Sequence, residues 1–292
     1  MAVTYRVSHT TTYSYSQEVS ASYSQLYLLP RRLPHQRCRS TDVTIVPEPD
    51  DYGEHADFFG NRVAYCDIQS PHRQLTVTAV SVVEIDHPQD LPLFSDQPWE
   101  RARDQLRGPS AGDAIQFALD SPLVRASDAL ADYAAPSFTA NRMIVDAITA
   151  LASRIHEDFT FEPGSTSVAT TLEELFVERR GVCQDFAHVA IGCMRSLGLA
   201  ARYVSGYLET DPPRDGTRLE GADRSHAWAS VFIPDAGWVD IDPTNDRLVN
   251  ARYITNAWGR DYQDVPPLSG VIYTDGEPAE LHVEVDVVAL AG

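Results

Sequence analysis

Two segments in the first third of the chain alternate between apolar and polar residues. They are residues 4–15 and residues 75–85, and the second is rich in β-branched side chains. A period of two is typical of strands with one buried face, so both segments are predicted to be strands. Loops rich in Pro, Gly and Asp at residues 28–36 and 46–61 separate short strands between them. Residues 1–88 are therefore predicted to form an all-β, sandwich-like amino-terminal domain, and this half contains no catalytic motif.

The middle of the chain changes to a helical period. Residues 89–136 are rich in Pro, Asp and Ala and are predicted to be a connector with a helical segment near residues 123–133. After it, apolar residues recur at spacings of three and four, which predicts a helix over about residues 141–157. Its buried stripe consists of Ile144, Ile148, Leu151 and Ile155.

Two further helices follow, and the start of the second is a candidate for chemistry. One is predicted to begin at Thr170 or Thr171, with Glu three residues later, and to end at Gly181. The next begins at Cys183. The first N–H groups of a helix have no intrahelical acceptor and the helix dipole favours an anion there, so this position favours a reactive thiolate. One of those N–H groups is also able to face a developing oxyanion. The alternative is a small apolar residue at a helix start.

Other polar residues of the third helix are interpreted as structural. Asp185 lies in the first turn, where a carboxylate complements the dipole, and is expected to point away from Cys183. His188 lies off the helical face of Cys183 and is interpreted as a hydrogen-bonded structural histidine. Cys193 lies on the apolar stripe and is expected to be buried.

A predicted hairpin after residue 225 supplies a base and carboxylates. His226 and Trp228 share one face of its first strand, and a histidine beside a large aromatic ring indicates a semi-buried cleft. Asp240 and Asp242 share a face of the returning strand, so alternation does not decide between them. Asp242 precedes Pro243, which ends the strand.

A regular hairpin in which Ile233 pairs with Trp238 raises a difficulty. That pairing places Asp242 opposite Ala229, about 10 Å from His226 along the strand. A bulge, a strong twist or a neighbouring strand is then needed to bring the two side chains together.

Cys183, His226 and Asp242 gain significance as a set. A thiol nucleophile needs a base within hydrogen-bond reach, and the imidazole needs a partner that fixes its tautomer. The alternatives for single residues are a core histidine for His226 and a turn former before proline for Asp242. As a set, the alternatives are a zinc site and a binding module that has lost turnover.

Composition limits the remaining function classes. The chain has 292 residues, 43% of them hydrophobic, and no stretch approaches the roughly 20 apolar residues that span a bilayer. Without a leader-like start, we expect a cytoplasmic protein. The four cysteines, Cys38, Cys66, Cys183 and Cys193, are too sparse for a disulfide scaffold; pairing of Cys38 with Cys66 is the less favoured alternative.

Charge removes several more classes. The formal net charge of −19 argues against a nucleic-acid partner, because phosphate binding needs clustered cations. All 23 cationic residues are Arg, so Schiff-base chemistry, a Ser-Lys dyad and a complete P-loop are excluded.

Three motifs resemble the bacterial transglutaminase-like superfamily: GVCQDFAH with GLAARYVSGY, SHAWASVFIPDAGW, and DIDPTN. The β-rich start is similar to the domain that often precedes this core in bacteria, and GRDYQDVPPLSG at residues 259–270 is similar to its closing segment. The resemblance implies an α+β, papain-like core with helices on an antiparallel sheet. The implied units are residues 1–88, the connector 89–136, the core 137–250, and an extension 251–292 that returns to the β structure.

The resemblance also implies roles for residues. Cys183 is the implied nucleophile, His226 the base and Asp242 the third member of the triad, while Gln184 and Trp228 are candidates for the substrate cleft. The second oxyanion donor is open, with only the backbone N–H groups of residues 159 and 161 in the right region. No cofactor, metal, nucleic-acid or membrane partner is implied. The expected reaction is acyl transfer on a peptide or protein through a thioester on Cys183, with hydrolysis favoured over transfer to an amine, as in bacterial members described as cysteine proteases.

Overall fold

The computed structural model describes residues 2–86, 97–167, 170–209, 225–234, 236–276 and 279–290. Its strands are β1 (Val3–Val19), β2 (Ala21–Leu26), β3 (Gln36–Val46), β4 (Asp51–Ala56), β5 (Arg62–Ile68), β6 (His72–Ile85), β7 (Thr160–Phe161), β8 (Arg180–Gly181), β9 (Ala201–Leu208), β10 (Ser225–Ile233), β11 (Gly237–Asp242), β12 (Arg247–Leu248), β13 (Tyr253–Gly259), β14 (Leu268–Tyr273) and β15 (Glu280–Leu290). The helices are α1 (Trp99–Gln105), α2 (Asp128–Ala134), α3 (Ile144–Asp158), α4 (Leu172–Glu178) and α5 (Cys183–Ser196), with 3₁₀ helices over Pro109–Ala118 and Tyr262–Asp264.

The amino-terminal third folds as two antiparallel sheets of four strands. Their orders are β15-β1-β6-β3 and β14-β2-β5-β4, so each sheet takes one strand from the carboxy-terminal end of the chain. Alternation along β1 and β6 turns one side chain in two toward the second sheet, and Leu26, Ile68 and Val77 are among the buried residues that fill the space between. The predicted sandwich-like domain is confirmed.

The second half is a five-stranded antiparallel sheet covered by helices. The strand order is β12-β11-β10-β9-β13, and α5 packs against β9 and β10 as well as against α2, α3 and α4. Because α5 is surrounded on all sides, its residues from Asp185 to Arg195 are all buried. This arrangement confirms the predicted α+β class and papain-like core.

The helices follow the predicted periodicity with small shifts. The stripe of α3 is fully buried, and burial of each of these large aliphatic side chains contributes about 2 kcal/mol. Helix α4 begins at a capping box in which Thr171 and Glu174 bond each other's backbone N–H groups. It ends at Glu178 because Arg179 takes a left-handed conformation with φ of 53°, two residues before the predicted Gly181. In the connector the helix near residues 123–133 is α2, and α1 and the first 3₁₀ helix were not predicted.

Sheet β15-β1-β6-β3 is long enough to serve both halves of the molecule. The 17 residues of β1 pass beyond the sandwich, and its first part packs on the helix-covered half through Tyr5 and Val7, with Tyr207 and Ile254 opposite them. The side-chain amide of Gln36 bonds the backbone N–H and C=O of Thr255 at 2.8 and 2.7 Å. The segment after residue 250 divides: β13 pairs with β9 in the five-stranded sheet, whereas β14 and β15 return to the sandwich. Among the described residues, no helix is long and apolar enough to cross a bilayer.

Candidate active site

Cys183 is the first residue of α5 and is half-buried at its amino-terminal end. Asp185, three residues after the cap, turns its carboxylate back to accept hydrogen bonds from the N–H of Val182 at 2.8 Å and the hydroxyl of Thr166 at 2.6 Å. Gly181 leaves room for this carboxylate, since a Cβ there would lie 2.6 Å from its Oδ2. Burial raises the pKa of Asp185. The carboxylate thus fixes the turn that presents the cysteine.

The hairpin of β10 and β11 has a different register from the expected one. Ile233 pairs with Gly237, not with Trp238, because the turn encloses one residue fewer and Gly237 accepts a φ of 87°. The ladder continues to Ala229 and Ile241, so its next step brings Asp242 level with Trp228 rather than with Ala229. The expected pairing was wrong by one residue.

The observed register removes the distance problem. Asp242 lies on the same face as His226 and on the diagonal, where side chains of twisted strands remain within reach. The Nε2 of His226 and the Oδ2 of Asp242 are 2.7 Å apart. Asp240 and Trp228 repeat the same diagonal one step along the ladder, with 3.0 Å between the indole Nε1 and Oδ2. The two aspartates therefore have separate partners, and Asp242 is the partner of the histidine.

Asp242 is fully buried and held by several donors besides His226. The hydroxyl of Tyr253 and the Nδ2 of Asn245 reach its Oδ2 at 2.7 and 2.6 Å, and the N–H groups of Thr244 and Asn245 reach its Oδ1 at 2.9 and 3.3 Å. Burial raises the pKa of this carboxyl, but the hydrogen bonds and the positive charge of His226 outweigh it and lower the pKa. Asp242 is therefore an ionised acceptor of fixed orientation.

Tyr253 and Asn245 were not singled out in the sequence. Asn245 carried a signal, since it ends the DPTN motif, three residues after Asp242. Tyr253 lies on β13, at the opposite edge of the sheet order from β11, and local spacing gave no indication of it.

His226 interacts with both Asp242 and Cys183. Burial alone lowers the pKa of this imidazole, but the hydrogen bonds to Asp242 and Cys183 and the negative charges of these groups raise it to about 10. Because Nε2 bonds Asp242, the remaining nitrogen, Nδ1, is the one available to the sulfur. The structure thus brings the three predicted residues together around one imidazole.

Trp228 does not line the cleft, so that interpretation was wrong. It is fully buried, its indole N–H bonds Asp240, and its ring meets the edge of Tyr253 and lies beside the ring of His226. The strand places it behind the histidine, where it supports the imidazole. Gln184, the other cleft candidate, does line the cleft.

His188 and Cys193, which were interpreted as structural residues, are both buried. His188 is buried, and its Nε2 accepts the N–H of Tyr262 at 3.1 Å, while burial lowers its pKa to about 4. Cys193 is fully buried, which raises the pKa of its thiol. Cys38 and Cys66 are both free thiols. Throughout the described ranges, no group of three or more His, Cys, Asp or Glu side chains is arranged to hold a metal ion.

Of the two backbone donors in the region expected for an oxyanion site, one is already used. The N–H of Phe159 bonds the carbonyl of Ile155 at 3.0 Å, so this residue is not the second donor. Phe161 lies in β7, which pairs with β8 just before Cys183. The first N–H groups of α5, at Cys183 and Gln184, have no carbonyl in the preceding helical turn and point toward its amino-terminal end.

Cys183 and His226 open onto a cleft of about 260 Å³ between the two halves of the molecule. The helix-covered half contributes one wall through Gln184, Tyr203, Ser205 and Ser225. The other wall comes from the sandwich and the segment that leads back to it. It consists of His9, Thr11 and Tyr13 from β1, Pro267 and Leu268 before and in β14, and Leu281 and Val283 from β15. The cleft is therefore a composite of both domains.

Two family models match the chain. Residues 5–84 match the bacterial transglutaminase-like N-terminal region, and residues 131–243 match the transglutaminase-like superfamily. The second match contains Cys183, His226 and Asp242.

Relatives and solved structures agree with these matches. An uncharacterised protein of Mycobacterium tuberculosis is 46% identical over 295 residues, covering 99% of this chain and 93% of its own length. A protein-glutamine gamma-glutamyltransferase of Pseudomonas aeruginosa is 33% identical over 102 residues, 33% of this chain and 15% of that protein. The crystal structure of a candidate cysteine protease from Cytophaga hutchinsonii superposes with a TM-score of 0.75 at 22% identity, covering 100% of this chain and 92% of that one. The chain belongs to the transglutaminase-like superfamily.

Proposed function

We propose that the protein is a cysteine-dependent acyl-transfer enzyme that cleaves amide bonds through a thioester on Cys183, with water as the usual acceptor. The observation that carries the proposal is the position of His226. It bonds a buried, ionised Asp242 on one side and interacts electrostatically with Cys183 on the other, at the opening of a cleft. An imidazole whose pKa is about 10 holds a proton at neutral pH and is placed to donate it.

In the acylation step, the sulfur of Cys183 attacks the carbonyl carbon of a peptide or carboxamide. The C–N bond breaks, and the proton on Nδ1 of His226 passes to the leaving nitrogen, so an amine departs and a thioester remains. The negative charge on the carbonyl oxygen develops beside the first N–H groups of α5, whose orientation is fixed before the reaction. Asp242 keeps the imidazole in the required tautomer.

In the second step, a water molecule gives a proton to Nδ1 of His226 and attacks the thioester, and the carboxylic acid leaves as the C–S bond breaks. A primary amine in place of water gives transglutaminase activity. The cleft favours water, because its described lining contains no Asp or Glu to attract a cationic amine. The local match to a gamma-glutamyltransferase makes amine transfer the second candidate.

The test is mass spectrometry of the wild-type enzyme and a Cys183→Ala variant, incubated with a peptide library in the presence and absence of a primary amine. We expect cleaved or deamidated peptides with the wild type and a loss of at least about 10⁴-fold in rate with Cys183→Ala. Cys38→Ala, which removes a thiol outside the cleft, is the matched control and should retain full activity. Amine-modified peptides without hydrolysis would replace the peptidase assignment with the transglutaminase one; no modification by the wild type would refute acyl transfer.

A further inference from the structure

One wall of the cleft carries a chain of buried polar groups on β1. His9, Thr11 and Tyr13 alternate onto the same face, and His9 and Thr11 are only 1% and 3% exposed. Along the rest of this face the side chains are apolar or aromatic, as Tyr5, Val7 and Tyr15 are. A buried His-x-Thr pair in an otherwise apolar surface costs free energy unless its groups are hydrogen-bonded.

The hydrogen bonds that join Tyr207, His9 and Thr11 all run in the same direction, from Tyr207 through His9 to Thr11. Among the described residues the Oδ1 of Asn256 has no partner, and the side-chain hydrogen bond of Asn256 to the Tyr207 hydroxyl lowers the pKa of this tyrosine while burial raises it, as expected when Asn256 is the donor. With Asn256 donating, the tautomer that satisfies both ring nitrogens of His9 has the Tyr207 hydroxyl donating to Nδ1 of His9, 2.9 Å away. This leaves the proton of His9 on Nε2, which donates to the Oγ1 of Thr11 at 3.0 Å.

Thr11 therefore has a proton left to donate. Within the part of the chain that the structure describes, its Oγ1 forms no side-chain hydrogen bond other than the one with His9. Since that oxygen accepts from His9, its own O–H is directed away from the imidazole, and Thr11 lines the cleft. Burial lowers the pKa of His9 to about 4, so at neutral pH the ring is uncharged and the direction of the chain is maintained.

The rest of the described lining is uncharged apart from the catalytic groups. It contains hydroxyls, one amide and apolar side chains, with Leu268, Leu281 and Val283 adjacent to the β1 wall. Such a surface matches a neutral acyl group that carries an oxygen acceptor beside an apolar part.

We propose that Thr11, supplied by the amino-terminal domain, is a substrate-binding residue that donates a hydrogen bond to an amide oxygen of a neutral acyl donor. The inference rests on the proposed function, because it assigns a substrate class to the same cleft. It also gives the sandwich domain a role: its strand β1 completes the binding site.

The test compares two thiol reagents on Cys183, followed by mass spectrometry of the labelled peptide with Cys38 as internal reference. Iodoacetamide is neutral and carries an amide oxygen, whereas 2,2′-dithiodipyridine is neutral and has no oxygen. The variants are Thr11→Val, which removes the hydroxyl at nearly constant shape, and Thr11→Ser, which restores it. Thr12→Val is the matched control, since Thr12 is the next residue of β1 and bonds Thr76 on the opposite face at 3.4 Å. Thermal unfolding verifies that each variant is folded.

With Thr11→Val, we expect iodoacetamide to react with Cys183 about fivefold more slowly and dithiodipyridine to react at the wild-type rate. Thr11→Ser and Thr12→Val should match the wild type with both reagents. An unchanged iodoacetamide rate in Thr11→Val, or equal slowing with both reagents, overturns the assignment of Thr11. If wild-type Cys183 reacts no faster than Cys38 with either reagent, the proposed function fails instead, and the two failures are distinguished.

Discussion

The two walls of the cleft contain two largely buried histidines in opposite charge states. His226, on the wall formed by α5 and the hairpin, has a pKa raised to about 10 because of its interactions with Asp242 and Cys183. His9, on the β1 wall, has a pKa lowered to about 4, because burial disfavours the charged ring and its partners among the described residues are the hydroxyls of Tyr207 and Thr11. Similar burial therefore gives a proton donor on one side and a neutral ring on the other. The partner, not the degree of burial, decides which role a histidine takes.

The walls also differ in how the chain builds them. The wall that carries His226 takes the three groups of the proposed triad from α5 and one hairpin, within residues 183–242. The opposite wall joins β1 to β15, which pair from Thr4 with Leu290 to Ser14 with Glu280, and so unites the two ends of the chain. We infer that the first wall sets the chemistry and the second sets the choice of substrate.

The largest effect should come from Asp242→Asn. Asparagine lacks the charge that holds the proton on His226, so we expect the rate to fall about 10³-fold and the pKa of His226 to move downward. The rate is measured on peptide products by mass spectrometry, and the pKa by NMR titration of the imidazole. Asp240→Asn is the matched control, because Asp240 lies two residues away on the same face but bonds Trp228.

Asp240→Asn should lower the rate by less than about tenfold, since it removes only one hydrogen bond behind the imidazole. Equal losses in the two variants would contradict the separate roles of the aspartates. A folded Asp242→Asn enzyme with full activity would remove Asp242 from the mechanism.

A smaller effect, on selectivity, should come from Val283→Asp on the opposite wall. A carboxylate in this neutral surface should favour cationic peptides over neutral ones by about fivefold, while the reaction of Cys183 with dithiodipyridine stays unchanged. Product profiles from the peptide library measure the ratio. Leu290→Asp is the control, because Leu290 is a partly exposed aliphatic residue on the same strand but pairs with Thr4, away from the cleft. A change in thiol reactivity without a change in selectivity would reverse the roles inferred for the two walls.

The difference in how the chain builds the two walls explains which parts were predictable from the sequence. Local signals specify the first wall, whereas the second depends on contacts between distant segments. Helix α5 and the position of Cys183 followed from a glycine break and an apolar stripe, which are local signals. The hairpin was predicted, but its register depended on one residue, Gly237, whose positive φ shortens the turn. Asp240 and Asp242 share a face of the strand, so the pattern did not show which of them bonds His226. The family resemblance implied Asp242.

The β1 wall could not be predicted, because it depends on which surfaces meet. Alternation placed His9 and Thr11 on one face, but only the docking of β9 brings Tyr207 to His9. Their signal was a polar pair in an apolar row, and that pattern alone does not distinguish a cleft from a hydrogen-bonded core. Trp228 illustrates the reverse error, since a large aromatic beside the catalytic histidine is equally suited to support it from behind.

A last effect should appear in stability and tests the charge state of His226 directly. The experiment uses Cys183→Ala, so that the thiol exchanges no proton with the imidazole, and compares it with Cys183→Ala/His226→Gln by urea unfolding at pH 6, 8 and 10. The folded pKa of His226 is raised from 6.5, so its contribution is fully present below pH 6.5 and is lost as pH rises toward about 10. In the single variant only Asp242 is left to raise the pKa of His226. Its free energy of unfolding should therefore fall by about 2 kcal/mol relative to that of the double variant across this window. Parallel curves would mean that Asp242 does not hold the proton on His226, and the contrast with the neutral His9 would then lack its electrostatic cause.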